Sequence, residues 1–158
     1  MLPILSNLFC KGKQMKNTNQ QYKIVTETYH HQVIQFLEDR IYEHNSSKLH
    51  KEDGDLFSMV VRSESNTIIA GIAGWTWANA CEITQLWVDE SYRKNGLGVL
   101  LLDAAETAAK SKGCRTILVR SFAFQAPDFY IRHGYRTEHI IEDFPPGQRY
   151  HILLKSIS

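Results

Sequence analysis

Long apolar runs, clustered cysteines and an excess of one charge are all missing from this chain. With 18 Lys and Arg against 17 Asp and Glu, its formal net charge is +1. Nothing global therefore points to nucleic acid or to an anionic membrane surface as a partner. The three cysteines, Cys10, Cys81 and Cys114, are odd in number and far apart. They make neither a metal-ligand spacing nor a disulfide framework, which fits a reducing, cytoplasmic setting. The seven histidines show no metal spacing either, so no metal is expected. His30-His31 reads as an exposed pair at a helix start and His133 as a surface residue. Internal repeats, linkers and low-complexity tracts are absent.

What is present is an ordinary globular balance, 43% hydrophobic and 22% charged. A chain of 158 residues supports one domain that buries about 70% of its unfolded surface. We expect that domain over residues 22–158, after a flexible N-terminal segment, 1–21. Residues 1–10 are mildly apolar but lack a cationic lead and are broken by Pro3, Ser6 and Asn7. They make a poor signal peptide and are too short to span a bilayer. Residues 11–21 are polar and aperiodic. Met15 offers an alternative start; a frayed tail or a small hydrophobic flap fits equally.

Periodicity gives a coarse element order. Residues 22–27 read as a strand. Thr28 is a candidate cap for a helix carrying Val33, Ile34, Phe36, Leu37 and Ile41 on one stripe. Residues 43–55 are polar and read as a loop, with room for a short helix. Strands follow at 56–62, 67–77 and 81–88, with Gly71 and Gly74 interrupting the second. A helix covers 97–112, with Lys110 and Lys112 in its last turn and Gly113 as the stop. A strand at 115–121, a short helix at 126–133, and strands at 135–141 and 149–155 complete the chain. The order β-α-β-β-β-α-β-α-β-β indicates an α+β domain with a mixed, mainly antiparallel sheet.

The segment Val88-Asp89-Glu90-Ser91-Tyr92-Arg93-Lys94-Asn95-Gly96-Leu97-Gly98 joins a strand end to a helix start. The first N–H groups of that helix lack partners and sit at the positive end of its dipole, which suits a phosphate. Gly96 and Gly98 allow left-handed backbone and close approach of a ligand, and Arg93 and Lys94 add charge. From these residues alone, an anion nest and a plain strand-to-helix turn remain equally open.

Two segments together resemble the GNAT superfamily of N-acetyltransferases. Arg93-Lys94-Asn95-Gly96-Leu97-Gly98 fits its Arg/Gln-x-x-Gly-x-Gly/Ala pattern. Ala126-Pro127-Asp128-Phe129-Tyr130-Ile131-Arg132-His133-Gly134-Tyr135 fits Ala-x-x-Phe-Tyr-x-x-x-Gly-Phe/Tyr, and one helix and one strand separate the two, as in the family. Ser121 to Pro127 and Pro145-Pro146-Gly147 are similar to an uncharacterised bacterial subgroup, from which Ala123 departs where many members carry Asn. The resemblance implies a GNAT-like fold of six to seven strands flanked by about four helices. It also implies acetyl-CoA as donor, with its pyrophosphate on Arg93, Lys94, Asn95, Gly96, Leu97, Gly98 and Val99. Arg93 would add a charge-assisted contact worth about 1.5–3 kcal/mol. Pantetheine would run beside Leu86, Trp87 and Val88, where a bulge often frees backbone groups, with Phe129 as core or as a wall. A homodimer is among the assemblies common to such folds.

Acetyl transfer to an amine needs a base for the amine proton, a donor for the oxyanion and a proton for the departing sulfur. The backbone N–H near Leu86 or Val88 is the expected oxyanion donor. The resemblance makes Glu82 the candidate base, at a position where some members of the family carry a catalytic Glu. It lies six residues before Val88, and six strand residues span roughly 20 Å, on the order of an extended pantetheine arm. Simple alternation puts Glu82 on the face of Thr84, Leu86 and Val88, and a bulge would reverse that. A solvated glutamate fits equally. Tyr130, at the position that commonly has this role in the family it resembles, is the candidate acid, with a core tyrosine against Phe129 as the alternative. Trp75 and Trp77 share a strand face and read as core or as acceptor-pocket lining. Glu138, Glu142 and Asp143 form either an acidic rim for a cationic amine or a solvated charge run. The functional reading is direct acetyl transfer to a primary amine of a small molecule or protein in a ternary complex. The alternative is a catalytically silent CoA-binding module.

Overall fold

The computed structural model describes residues 22–157. The flexible segment expected over 1–21, and the alternative start at Met15, lie outside them. By its contacts the chain divides into two compact units, Met1–Glu38 and Asp39–Ser158. Residues 22–27, expected as a strand, form none: Tyr22 and Ile24 are almost fully exposed and no regular structure is assigned. Their Tyr-Lys-Ile-Val-Thr pattern suits a half-buried pleat, and without a paired backbone that preference has nothing to act on.

The first helix, α1 (His30–Leu49), starts after Tyr29, whose carbonyl accepts from Gln32 and Val33 N–H, rather than at Thr28. It also continues through what the polar composition of 43–49 suggested was loop. Local polar contacts sustain it there: Arg40 pairs with Glu43, and Ser47 Oγ donates to the His44 carbonyl at 2.7 Å. Such i,i+3 pairs support a helix that lacks an apolar stripe. Its apolar residues Ile34, Leu37 and Ile41 stay exposed.

In the second unit, β1 (Asp55–Arg62), β2 (Ile68–Trp77) and β3 (Ala80–Val88) form a meander. A 3₁₀ turn (Glu90–Tyr92) leads to α2 (Leu97–Ser111), then β4 (Thr116–Phe122), α3 (Pro127–Arg132), β5 (Arg136–Glu142) and β6 (Arg149–Ser156). The six strands are ordered β1-β2-β3-β4-β6-β5. All pairs are antiparallel except β3–β4. The sheet thus has the lower of the expected strand numbers. Among the described residues, three α-helices and one 3₁₀ turn stand where about four helices were expected.

The core lies on one face of the sheet. Ile72, Cys81, Ile83, Ile117, Val119 and Leu153 pack there against Leu101, Leu102, Ala105 and Ala109 of α2. Each large apolar side chain buried in this way contributes about 1.5–3 kcal/mol. Gly113 (φ 74°) ends α2 as expected, its N–H bonding the Lys110 carbonyl at 2.9 Å.

The joint that matters for the site is in β3. Gly74 pairs with Ile83 and Ala73 with Gln85, so Thr84 is an extra residue, a β-bulge. A Cβ on Gly74 would lie 2.0 Å from the Glu82 carbonyl oxygen, so the close approach admits glycine alone. The bulge also decides the register that alternation left open. Glu82 pairs with Trp75, whereas Leu86 pairs with Ile72 and Val88 with Ala70. Glu82 therefore faces away from Leu86 and Val88.

Candidate active site

Strands β3 and β4 run side by side for four residues, Ala80–Ile83 against Thr116–Val119. They then part. Beyond the bulge, β3 pairs with β2 alone, while β4 stays paired with β6 out to Phe122. The wedge between them is a cleft of about 1000 Å³. One side is Ile83 to Val88, of which Thr84 to Val88 have no ladder partner in β4. The other side is Arg120, Ser121 and the residues leading into α3, including Phe129 and Tyr130.

The cleft opens onto the N-terminus of α2. Lys94 (φ 65°) and Gly96 (φ 79°) both take left-handed backbone there, and Gly96 is the N-cap without any side-chain cap bond. The N–H groups of Leu97, Gly98 and Val99 precede the first i→i−4 bond, that of Leu100 to the Gly96 carbonyl at 3.0 Å. They point outward as unsatisfied donors at the positive end of the helix. A Cβ on Gly98 would touch the Phe129 ring at 3.5 Å, so this turn packs directly on α3. Arg93 Nε donates to the Val88 carbonyl at 3.1 Å and Nη1 faces Glu90 at 3.4 Å. A guanidinium has five donors, so these contacts orient it and leave capacity for an anion. Of the residues expected to hold the cofactor, Leu86, Trp87, Val88, Arg93, Lys94, Gly96, Leu97, Gly98, Val99 and Phe129 line the cleft, and Asn95 does not. Phosphate-suited donors at one end and an unpaired strand edge along the side fit CoA.

Tyr130 lines the same cleft and is 8% exposed. Its ring is edge-on to Phe129 and Tyr135, with centroids 5.2 and 5.6 Å away. Burial pushes its phenol up to about 12, so it keeps its proton throughout the neutral range. Glu82 is buried on β3 and ion-paired with Arg120. Arg120 lines the cleft; Glu82 stands behind it. The two described cysteines are free and buried. Burial raises both thiols, Cys81 to about 12.

Other expectations resolve differently. Trp77 is structural: its Nε1 donates to the Lys51 carbonyl at 2.9 Å and Tyr42 packs edge-on at 6.2 Å. The acidic residues of the last hairpin are engaged locally. Glu138 pairs with Arg136, Glu142 sits opposite Arg149, and Asp143 accepts from Gly147 N–H. His133 is not a plain surface residue. Its Nδ1 contacts the Phe129 carbonyl at 2.7 Å, its ring packs on Phe129, and it lines the cleft. Arg120, Ser121 and Phe124 were also missed as cleft residues. Position, just past the point where β4 leaves β3, is the signal for Arg120 and requires the pairing to be known; Ser121 and Phe124 also lie in the run Ser121 to Pro127 that resembles the bacterial subgroup. Among the described residues no group of three or more His, Cys, Asp or Glu is placed to hold a metal. No described helix is long and apolar enough to cross a membrane.

Comparison with known proteins points the same way. The model of the acetyltransferase (GNAT) family matches residues 18–135. Blasticidin-S acetyltransferase of Streptomyces morookaense is 36% identical over 107 residues, 65% of this chain and 76% of that protein. The crystal structure of an acetyltransferase from Bacillus cereus superposes with a TM-score of 0.71 at 37% identity, covering 85% of this chain and 97% of that one. PaiA N-acetyltransferase from Thermoplasma acidophilum, solved in complex with coenzyme A, gives a TM-score of 0.56 at 22% identity. It covers 65% of this chain and 61% of that one.

Proposed function

The chain belongs to the GNAT family and is an acyltransferase of that family, and we propose that it moves acetyl from acetyl-CoA to a primary amine by direct attack in a ternary complex. The observation that carries this reading is the divergence of β3 and β4 onto the α2 N-terminus. It puts free backbone donors where a pyrophosphate and an extended pantetheine arm need them. Acetyl-CoA supplies the activated thioester. Leu97, Gly98 and Val99 N–H groups with Arg93 hold its phosphates, and backbone between Gln85 and Val88 aligns the arm and offers an N–H to the developing oxyanion. Direct attack is supported by the two described cysteines, both buried and protonated and neither in the cleft wall.

Tyr130 is the proposed acid. It holds a proton at Oη, and a phenol kept neutral by burial suits donation to a departing sulfur. Glu82 is the proposed base. Because Arg120 stands between it and the cleft, the amine proton reaches its carboxylate through one bridging water. The likeness to blasticidin-S acetyltransferase makes blasticidin S the first acceptor to try, beside polyamines, aminoglycosides and lysine peptides.

Thiol release across that panel tests the reading, with Tyr130→Phe and Glu82→Gln alongside. We expect Tyr130→Phe to lower kcat about 10²-fold with the KM for acetyl-CoA unchanged. We expect Glu82→Gln to lower kcat about 10²-fold with the KM for acetyl-CoA unchanged. Tight CoA binding without turnover of any amine would leave a binding module instead.

A further inference from the structure

The cleft has an aromatic end that the transfer chemistry does not use. Phe122 stacks on Phe124, centroids 5.1 Å apart and planes 6° from parallel. Tyr150, opposite Phe122 in the β4–β6 ladder, lies 4.4 Å from it. Phe144 completes the group, 6.4 Å from Phe122 and 5.7 Å from Tyr150. The outer rings, Phe124 and Phe144, are 64% and 53% exposed, an unfavourable way to keep two large apolar groups. Phe124 is also a wall of the cleft, so the cluster continues the site.

This exposure is held in place by hydrogen bonds on both sides. Phe122 N–H donates to Gln125 Oε1 and Gln125 N–H to the Phe122 carbonyl, each at 2.9 Å, and Ala123 N–H donates to the Arg149 carbonyl at 2.9 Å. Across the cluster, Phe144 N–H bonds the Gln148 carbonyl at 3.0 Å and Gly147 N–H bonds Asp143 Oδ1 at 2.6 Å. Backbone fixed on both sides before a ligand arrives lowers the ordering cost of binding.

We propose that Phe122, Phe124, Phe144 and Tyr150 form the acceptor subsite and select a small amine that carries a flat conjugated ring. The proposal rests on the reading of the cleft as an acetyl-transfer site. Near-parallel rings reward a further offset-stacked π face beyond what apolar area alone gives. Geometry sets the tether. Arg120 and Phe122 share a face of β4, two residues or roughly 7 Å apart. A ring on the platform therefore places an amine two or three bonds away near the Glu82–Arg120 pair.

The test compares acetylation of 2-phenylethylamine and 2-cyclohexylethylamine, which match in tether and apolar bulk and differ in the π face. For the wild type we expect a KM about tenfold lower for the phenyl amine. Phe124→Leu and Phe144→Leu should each erase most of that preference, and Phe124→Tyr should keep it. Equal KM values in the wild type, or equal losses for both amines on substitution, would overturn the subsite. If CoA binds and neither amine turns over, saturation-transfer NMR on the CoA-loaded protein decides. Contact to the phenyl ring that disappears in Phe124→Leu upholds the subsite while the transfer reading fails; no contact overturns the subsite.

Discussion

Strand β3 begins as the interior of a sheet and ends as an open edge. Its first half, Ala80–Ile83, is paired on both sides, with β2 and with β4. Cys81, Glu82 and Ile83 are buried there. Its second half, Gln85 to Val88, is paired with β2 alone, and Gln85 and Trp87 are exposed. The composition of the two halves hardly differs. One extra residue, Thr84, set against a glycine that tolerates a backbone oxygen at contact distance, makes the first half scaffold and leaves the second half an open edge. A small defect in a regular ladder thus supplies unpaired donors without exposing a core.

The largest effect should come from closing that joint. Gly74→Val puts carbon against the Glu82 carbonyl and the Phe57 ring. We expect a loss of about 3 kcal/mol or more, hence a Tm lower by roughly 6–12 °C, and at least tenfold weaker CoA binding; calorimetric unfolding and titration read both. Wild-type stability in Gly74→Val would mean that the bulge is not the joint. Next in size, Arg93→Ala removes a cation held at the mouth of the open half. CoA affinity should fall about tenfold, with a shallower salt dependence, while Tm moves little because Arg93 is half exposed. Smaller again is Gly96→Ala. Its Cβ would meet nothing within 4 Å, so the cost is that of left-handed backbone, about 1–2 kcal/mol. It should show as a few-fold loss of CoA affinity.

The smallest effect separates the halves by pH. Cys81 reports on the paired half and Tyr130 on the open half. Burial raises both in the folded state, to about 12 from ordinary values of 9.0 and 10.0. A raised folded value means that the native state binds the proton more tightly. The associated stability is complete below the unfolded value and is lost as pH climbs to the folded one. Unfolding should thus be pH-independent on this account up to about 9 and become easier between 9 and 12. Cys81→Ala should weaken the pH dependence that begins near 9, where Cys114 still contributes, and saturating CoA should alter only the Tyr130 part.

The donor side was legible because backbone geometry writes itself into sequence. Gly96 and Gly98 beside Arg93 and the helix stop at Gly113 marked the loop and the helix before any pairing was known, and the family resemblance singled out Tyr130 as the candidate acid. The opposite wall of the cleft was not legible. Phe124, Arg120 and His133 reach the cleft because β4 leaves β3 at Val119, a long-range event with no local mark. Glu82 follows from the family resemblance, with its distance along the strand as a check, but its face depended on one bulge. Residues 22–27 and 43–49 were misread for a shared reason. Local pattern gives a preference, and a strand without a partner or a helix held by polar pairs answers to contacts that the pattern does not show.

The most direct measurement is amide NMR of the protein titrated with CoA. The account predicts saturable shifts of the Leu97, Gly98 and Val99 amides together with those of Gln85 to Val88, while Cys81 and Ile83, in the doubly paired half of the same strand, stay still. Shifts spread evenly along β3, or none at millimolar CoA, would contradict it.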